Sequence, residues 1–183
     1  MLGMDGILAG SGLGLTRGEV SLEPSDPAWQ AAYGQVALKL RAALSDLAIA
    51  VEHVGSTAVP GLPAKPILDI AVGLRPAADR DTVFEALQSL GFIHRGTVEE
   101  DEGLTMMFGW EDTPRHRIVN LHVVTHDTRR WREWLSFRDQ LRADQQARDA
   151  YADLKADLAR KFPNDRKSYI AGKDTFVQRI LTT

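Results

Sequence analysis

The sequence has no cysteine. Disulfides, thiol nucleophiles and zinc–thiolate sites are therefore excluded, and the composition suits a reducing cytoplasm. No apolar run approaches the ~20 residues of a membrane span, so no membrane partner is expected. Met1 to Leu15 lack a basic start and a clear cleavage site, so no secretory signal is expected. Strong net charge is also missing. The total is -3, which argues against bulk nucleic-acid binding. With 183 residues, 44% of them hydrophobic, the chain is long and apolar enough for one sizeable core.

The small net charge hides an asymmetry. Residues 1–127 hold 9 Lys+Arg against 17 Asp+Glu, whereas residues 128–183 hold 13 against 8. A basic segment folded onto an acidic one would frame a cleft for an anionic ligand with a metal; solvated helices of mixed charge account for the same numbers.

Six glycines fall within residues 1–18, with no strand before them and no helix pattern directly after, so this stretch reads as a flexible leader. Residues 19–183 then read as a single domain, with a sheet core over 19–127 and a helical part over 128–183. Val20-Ser21-Leu22 alternates as a short edge strand. Asp26-Pro27 is a helix start, and Trp29, Tyr33, Val36, Leu40 and Leu44 share one face of a helix reaching about Asp46. Strands follow at Ile49 to Val54 and, buried, at Ile67 to Leu74, separated by a Gly- and Pro-rich loop. A helix over Asp79 to Leu90 leads to three strands, Phe92 to Arg95, Leu104 to Trp110 and Arg117 to Val124, spaced for antiparallel pairing. Glu99 to Glu102 reads as a solvated loop. Three helices complete the chain from Thr128. The order predicts an α+β, or α/β-like, domain: a mixed sheet with one helical layer.

The chemistry concentrates in His53-Val-Gly55-Ser56-Thr57-Ala-Val-Pro-Gly-Leu-Pro-Ala-Lys65-Pro-Ile-Leu-Asp69-Ile70. Gly55 allows the backbone to approach a ligand closely, and the Ser56 and Thr57 hydroxyls suit phosphate oxygens. Asp69 interrupts an apolar strand, where an unpaired carboxylate is costly, so it needs a cation or a metal. Lys65 suits either Asp69 or a phosphate. Ser56 is also read as a turn closer, and Asp69 as the partner of a buried cation. His53 orients this region or is a satisfied core histidine. Asn120 and His122 share a strand face, with His122 read as ligand, general base or structural histidine. His94, His116 and His126 read as surface residues. Arg138 falls on the apolar face of its helix, aimed at an anion or a carboxylate, and Lys155 and Lys173 are further phosphate candidates. Trp131 and Trp134 read as packing residues, one of them able to stack on a base.

This stretch resembles the hallmark of the GrpB family. The resemblance continues at Asn120-Leu-His122-Val-Val, at Leu135-Ser-Phe-Arg138-Asp139, at Tyr151-Ala-Asp-Leu-Lys155 and at Phe162-Pro-Asn-Asp165-Arg166-Lys-Ser-Tyr169-Ile-Ala-Gly172-Lys173, covering roughly residues 18–182. It implies a nucleotidyltransferase-like fold. In that superfamily a Gly-Ser turn holds the phosphates of a nucleoside triphosphate and strand carboxylates bind Mg²⁺. Carried over, Gly55, Ser56 and Thr57 would cradle phosphates, Asp69 would hold Mg²⁺ with His122 beside it, and Lys65, Arg138 and Lys173 would neutralise charge. The implied partners are a nucleotide and a small-molecule acceptor; related domains fused to dephospho-CoA kinases imply an association with coenzyme A metabolism. One position departs from the superfamily. The second strand carboxylate is replaced by Ala71. Two expectations follow: an Mg²⁺-dependent nucleotidyltransferase, or a catalytically weak or inactive module binding a nucleotide or coenzyme A precursor. A hydrolase or metal-binding protein using Glu52, His53 and His122 is a third.

Overall fold

The computed structural model describes residues 3–100 and 102–182. Their elements in chain order are α1 (Met4–Leu8), β1 (Leu15–Thr16), α2 (Pro27–Leu44), β2 (Ala48–Val54), β3 (Leu68–Leu74), α3 (Arg80–Ser89), β4 (Ile93–Glu100), β5 (Gly103–Thr113), β6 (His116–Thr125), α4 (Arg129–Ala143), α5 (Gln145–Lys161), α6 (Arg166–Ala171) and α7 (Asp174–Leu181). The sheet runs β2-β3-β6-β5-β4, with β1 attached to the start of β6. β3 and β6 pair in parallel, and the other neighbours are antiparallel.

Asp26, Asp79, Asp144 and Asp165 each accept a backbone N–H at the start of α2, α3, α5 and α6. These carboxylates satisfy donors that the first turn leaves free. Strand alternation divides the sheet. Val51, Ile70, Val72, Leu121 and Val123 face the main core under α1, α2 and α3. Val54, Ala71 and Val124 face the other way, under Trp131 of α4. Helices therefore cover both faces, not one. Of the C-terminal helices, α4, α5 and α7 share a second core with Val59 and Leu62.

Several local expectations change. The acidic run is strand in its first half, not loop: β4 continues through Glu100, Glu102 is a turn residue before β5 begins at Gly103, and Asp101 lies outside the described residues. Val20-Ser21-Leu22 forms no sheet strand; nearby Glu23 makes an isolated bridge with Ala64, and Val20 packs with Leu158 and Tyr169. Four C-terminal helices replace three, because Gly172 separates α6 from α7.

The largest change concerns the glycine-rich start. Met1 and Leu2 lie outside the described residues, but the stretch from Met4 is packed, not a free leader. Met4, Leu8 and Leu13 join the main core. The Gly14 N–H donates to the Pro66 carbonyl at 2.7 Å, and the Arg17 N–H to the Arg115 carbonyl at 2.7 Å. Gly14 has φ +133°, and a Cβ there would lie 2.1 Å from the His116 ring. Gly14 passes the strap through this one tight place; the buried Met4, Leu8 and Leu13 anchor it.

Leu8→Ala is expected to cost about 2 kcal/mol or more, the low end for a buried leucine. Urea unfolding checks this. An unchanged midpoint would mean that α1 adds nothing to stability.

Candidate functional site

Asp69 lies on β3 beside Asn120 of β6 and Val54 of β2. Its neighbours Leu68 and Ile70 point into the core, so alternation turns the carboxylate to the opposite face. The Asn120 Nδ2 donates to Asp69 Oδ1 at 2.8 Å, and the His122 Nε2 stands 3.4 Å from the same oxygen. Arg117 donates from an Nη to the Asn120 Oδ1 at 3.2 Å, which fixes the amide with its nitrogen toward Asp69. Burial alone would raise the Asp69 pKa; hydrogen bonds from His122 and Asn120, with the Lys65 charge, outweigh it and hold the acid at about 2. The side chain is deep in the molecule yet 34% accessible, because one side opens onto a cavity.

The cavity holds about 370 Å³. Its rim is the turn leaving β2. Gly55 has φ +70°, and a Cβ there would sit 2.7 Å from Asp69 Oδ2. Both constraints demand glycine. Ser56–Ala58 then make a single 3-10 turn. Thr57 is committed to structure: its hydroxyl donates to the Ile67 carbonyl at 3.2 Å and meets the His53 Nε2 at 3.0 Å. His53 is enclosed between Thr57 and Gln30 and stacked on Tyr33, and burial lowers its pKa to about 4, so it is a satisfied neutral histidine.

Two arginines one helical turn apart on α4 fasten this turn. Arg138 donates to the His53 carbonyl at 3.0 Å and to Glu52 at 2.8 Å, while also gripping Asp139. Arg142 donates twice to the Ala58 carbonyl, at 3.0 and 2.7 Å. Arg138 was expected at the phosphates. Its donors are instead taken up by Glu52, Asp139 and His53, and it does not line the cavity.

The walls are cationic. Lys65, Lys155, Arg166 and Lys173 line the cavity around Tyr169. Lys65 and Lys173 lie 5.3 and 4.9 Å from the Tyr169 ring centre. Lys155 is 1% exposed and donates to the Pro63 carbonyl. Burial, reinforced by Lys173 and Lys65, brings its pKa down to about 7. Burial also brings Lys65 to about 8, with Asp69 opposing and Lys173, Arg166 and Arg117 assisting, and it lowers Lys173. His122 and Trp134 complete one side, their rings 4.9 Å apart.

The structure thus brings together Gly55, Ser56, Thr57, Lys65, Asp69, His122 and Lys173, and leaves Arg138 outside. Arg166 and Tyr169 had no assigned role in the sequence. The signal available was the Asp165 cap, which starts α6 and puts Arg166 and Tyr169, three positions apart, on one helical face.

The family model described as GrpB protein matches residues 19–183. The chain belongs to the GrpB family. It is 34% identical over 172 residues to the glutamate-rich protein GrpB of Alkalihalophilus pseudofirmus, covering 92% of this chain and 98% of that one. It is 36% identical over 162 residues to a UPF0157 protein of Pseudomonas aeruginosa, covering 88% of this chain and 66%, just under two thirds, of the relative. A dephospho-CoA kinase of Mycolicibacterium paratuberculosis matches at 29% over 181 residues, which is 87% of this chain and 44% of the kinase. The crystal structure of GrpB from Enterococcus faecalis superposes with a TM-score of 0.78 at 27% identity, covering 88% and 95% of the two chains. The Cid1 poly(U) polymerase, solved with Mg and 3′-dATP bound, superposes with a TM-score of 0.53 at 15% identity, covering 82% and 49%. That likeness supports the nucleotidyltransferase-like fold.

The donor set of this GrpB protein does not fit a resident Mg²⁺, which takes six oxygen ligands in octahedral geometry. Among the described residues Asp69 is the single carboxylate on the cavity wall. Asn120 turns its nitrogen, not its oxygen, toward Asp69, and His122 Nδ1 lies against Met107. Among the described residues no group of three or more His, Cys, Asp or Glu is arranged to hold a metal. Ala71 shares the strand face of Asp69 but is 0% exposed, packed among Val54, Val124 and Trp131. The second carboxylate position is thus part of an apolar core.

Gly55→Ala is expected to destabilise the protein by more than the ~1 kcal/mol of ordinary left-handed strain, since the new methyl also collides with Asp69. The double variant Gly55→Ala/Asp69→Ala should recover part of the loss. Additive losses in urea unfolding would show that the two positions do not compete for one space.

Proposed function

We propose that this protein binds a phosphorylated small molecule in the Asp69 cavity, as a nucleotide or coenzyme A precursor module without a two-metal centre. The observation that carries the reading is four cations, Lys65, Lys155, Arg166 and Lys173, converging on one carboxylate. Such an excess of positive charge, part-desolvated, is stabilised by an anion with several oxygens. The Gly55-Ser56 turn offers hydroxyl and backbone donors at the rim. Trp134 offers a ring face for a base. The protein would work in the cytoplasm, and the match to part of a dephospho-CoA kinase makes coenzyme A precursors natural first ligands. Ala71 and the sparse donor set favour binding over transfer.

A second reading, Mg²⁺-assisted nucleotidyl transfer to a small acceptor, draws on the fold likeness to Cid1. Asp69 would then hold the ion with phosphate and water oxygens, and the ion would offset charge on the phosphates. Asp69→Asn separates the two. Without metal, the variant should bind pyrophosphate more tightly than wild type, because a negative charge leaves the wall, while Lys173→Gln should bind about tenfold more weakly. If Mg²⁺ tightens binding to wild type but not to Asp69→Asn, transfer is the better reading. Calorimetry with and without Mg²⁺ makes the comparison, and absence of pyrophosphate binding at millimolar concentration removes both.

Protonation gives another handle. The free-protein pKa values of Lys155 and Lys65, about 7 and about 8, should rise when an anion binds, since the charged forms gain a partner. Binding should therefore take up protons between about pH 7 and 9, and affinity should fall as pH rises through that window. Sulfate, whose charge is constant there, is the suitable probe. The measured binding enthalpy should vary with the ionisation enthalpy of the buffer; no variation would mean that neither lysine meets the anion.

A further inference from the structure

The cationic wall does not end at Lys65. Lys65, Ile67 and Arg166 also line a narrow groove on the far side, together with Arg17, Glu19 and Arg117. Its enclosed volume is about 10 Å³, room for one water, so a larger anion would lie along its mouth with oxygens turned inward. Arg117 is 9% exposed, and its neighbours are mostly cations. The Arg166 Nε is enclosed without a hydrogen-bond partner. Arg17 is exposed, and among the described residues its side chain has no ion pair.

The charges of the cavity and the groove act on one another. Lys155 feels Lys173 and Lys65; Lys65 feels Lys173, Arg166 and Arg117; Arg117 in turn feels Arg166 and Arg17. The cations therefore extend from the cavity to the groove through Lys65 and Arg166, which line both. The opposing carboxylates are Asp69 at the cavity floor, Asp174 beside Lys173, Glu19 on the groove and Glu111 beside Arg117, the last already held by Arg95. Like charges held together in excess of the acids beside them are stabilised by a ligand of repeated negative charge. Guanidinium groups at the far end suit phosphate oxygens in particular. Arg17 comes from the strap before residue 19, where the family match begins.

We propose that these six cations form a continuous track for a linear polyphosphate chain, with Arg17 gripping the part that extends beyond the second phosphate. The proposal rests on the phosphate reading of the cavity and adds a preference for chain length. A nucleic-acid backbone, whose phosphates are spaced by sugars, is the competing occupant.

The test is calorimetry in metal-free buffer at fixed ionic strength, with pyrophosphate, tripolyphosphate, tetrapolyphosphate and a short single-stranded oligonucleotide. Wild type should gain about tenfold or more in affinity from pyrophosphate to tetrapolyphosphate. Arg17→Gln should lose that gain while binding pyrophosphate as wild type does, and Glu19→Gln should enlarge it. Lys39→Gln, at a half-buried position of α2 that lines neither the cavity nor the groove, removes one charge elsewhere and should change nothing. Pyrophosphate binding without the length gain, equal weakening of both ligands by Arg17→Gln, or stronger Arg17 dependence for the oligonucleotide would each overturn the track alone. Failure of pyrophosphate to bind would overturn the cavity reading and the track with it.

Discussion

A single carboxylate on a buried strand organises this molecule. Asp69 stands in the otherwise apolar run of β3, between β2 and β6, where an ionised group persists only if donors are built around it. Three features answer that demand. Residue 55 has no side chain, leaving the space that the carboxylate fills. Asn120 presents its nitrogen because Arg117 holds its oxygen. His122 approaches from the next position on the same face of β6. The requirements of one charge thus fix residues on the neighbouring strand β6 and in the turn at Gly55.

Around that negative floor the protein assembles positive walls, and the division follows the chain. The floor belongs to the acidic part of the sequence, residues 1–127. Three of the four wall cations, Lys155, Arg166 and Lys173, belong to the basic part, delivered by α5, α6 and the α6–α7 junction. Arg138 and Arg142 serve this arrangement from behind. By holding the carbonyls of His53 and Ala58, they keep the turn at the rim without entering the cavity.

Much of this was legible in the sequence because the signals were local. Asp26-Pro27 marks the start of α2, and Gly91 follows the end of α3. Asp69 is conspicuous as one polar residue in an apolar run, which is why its importance was readable before its partners were. Long-range partners were harder to read. Arg138 reads as an anion ligand until Glu52, 86 positions away, is seen taking its guanidinium. The strap from Met4 to Thr16 was misread because glycine frequency signals freedom, whereas here Gly14 is pressed against the His116 ring and the leucines Leu8, Leu13 and Leu15 are buried. Tyr169 carries no chemical flag in sequence; only the fold reveals a ring beside two lysines.

The parallel pairing of β3 with β6 bears on the order in which the protein forms. Asp69 and its donor Asn120 are 51 residues apart, and the intervening chain builds α3 and the β4–β5 hairpin. Local helices and the hairpin can form early, but β6 must close a long loop to reach β3. Until it does, Asp69 has neither Asn120 nor His122. The cavity is therefore a late product of folding, and amide exchange along β3 and β6 should report the most cooperative opening of the chain.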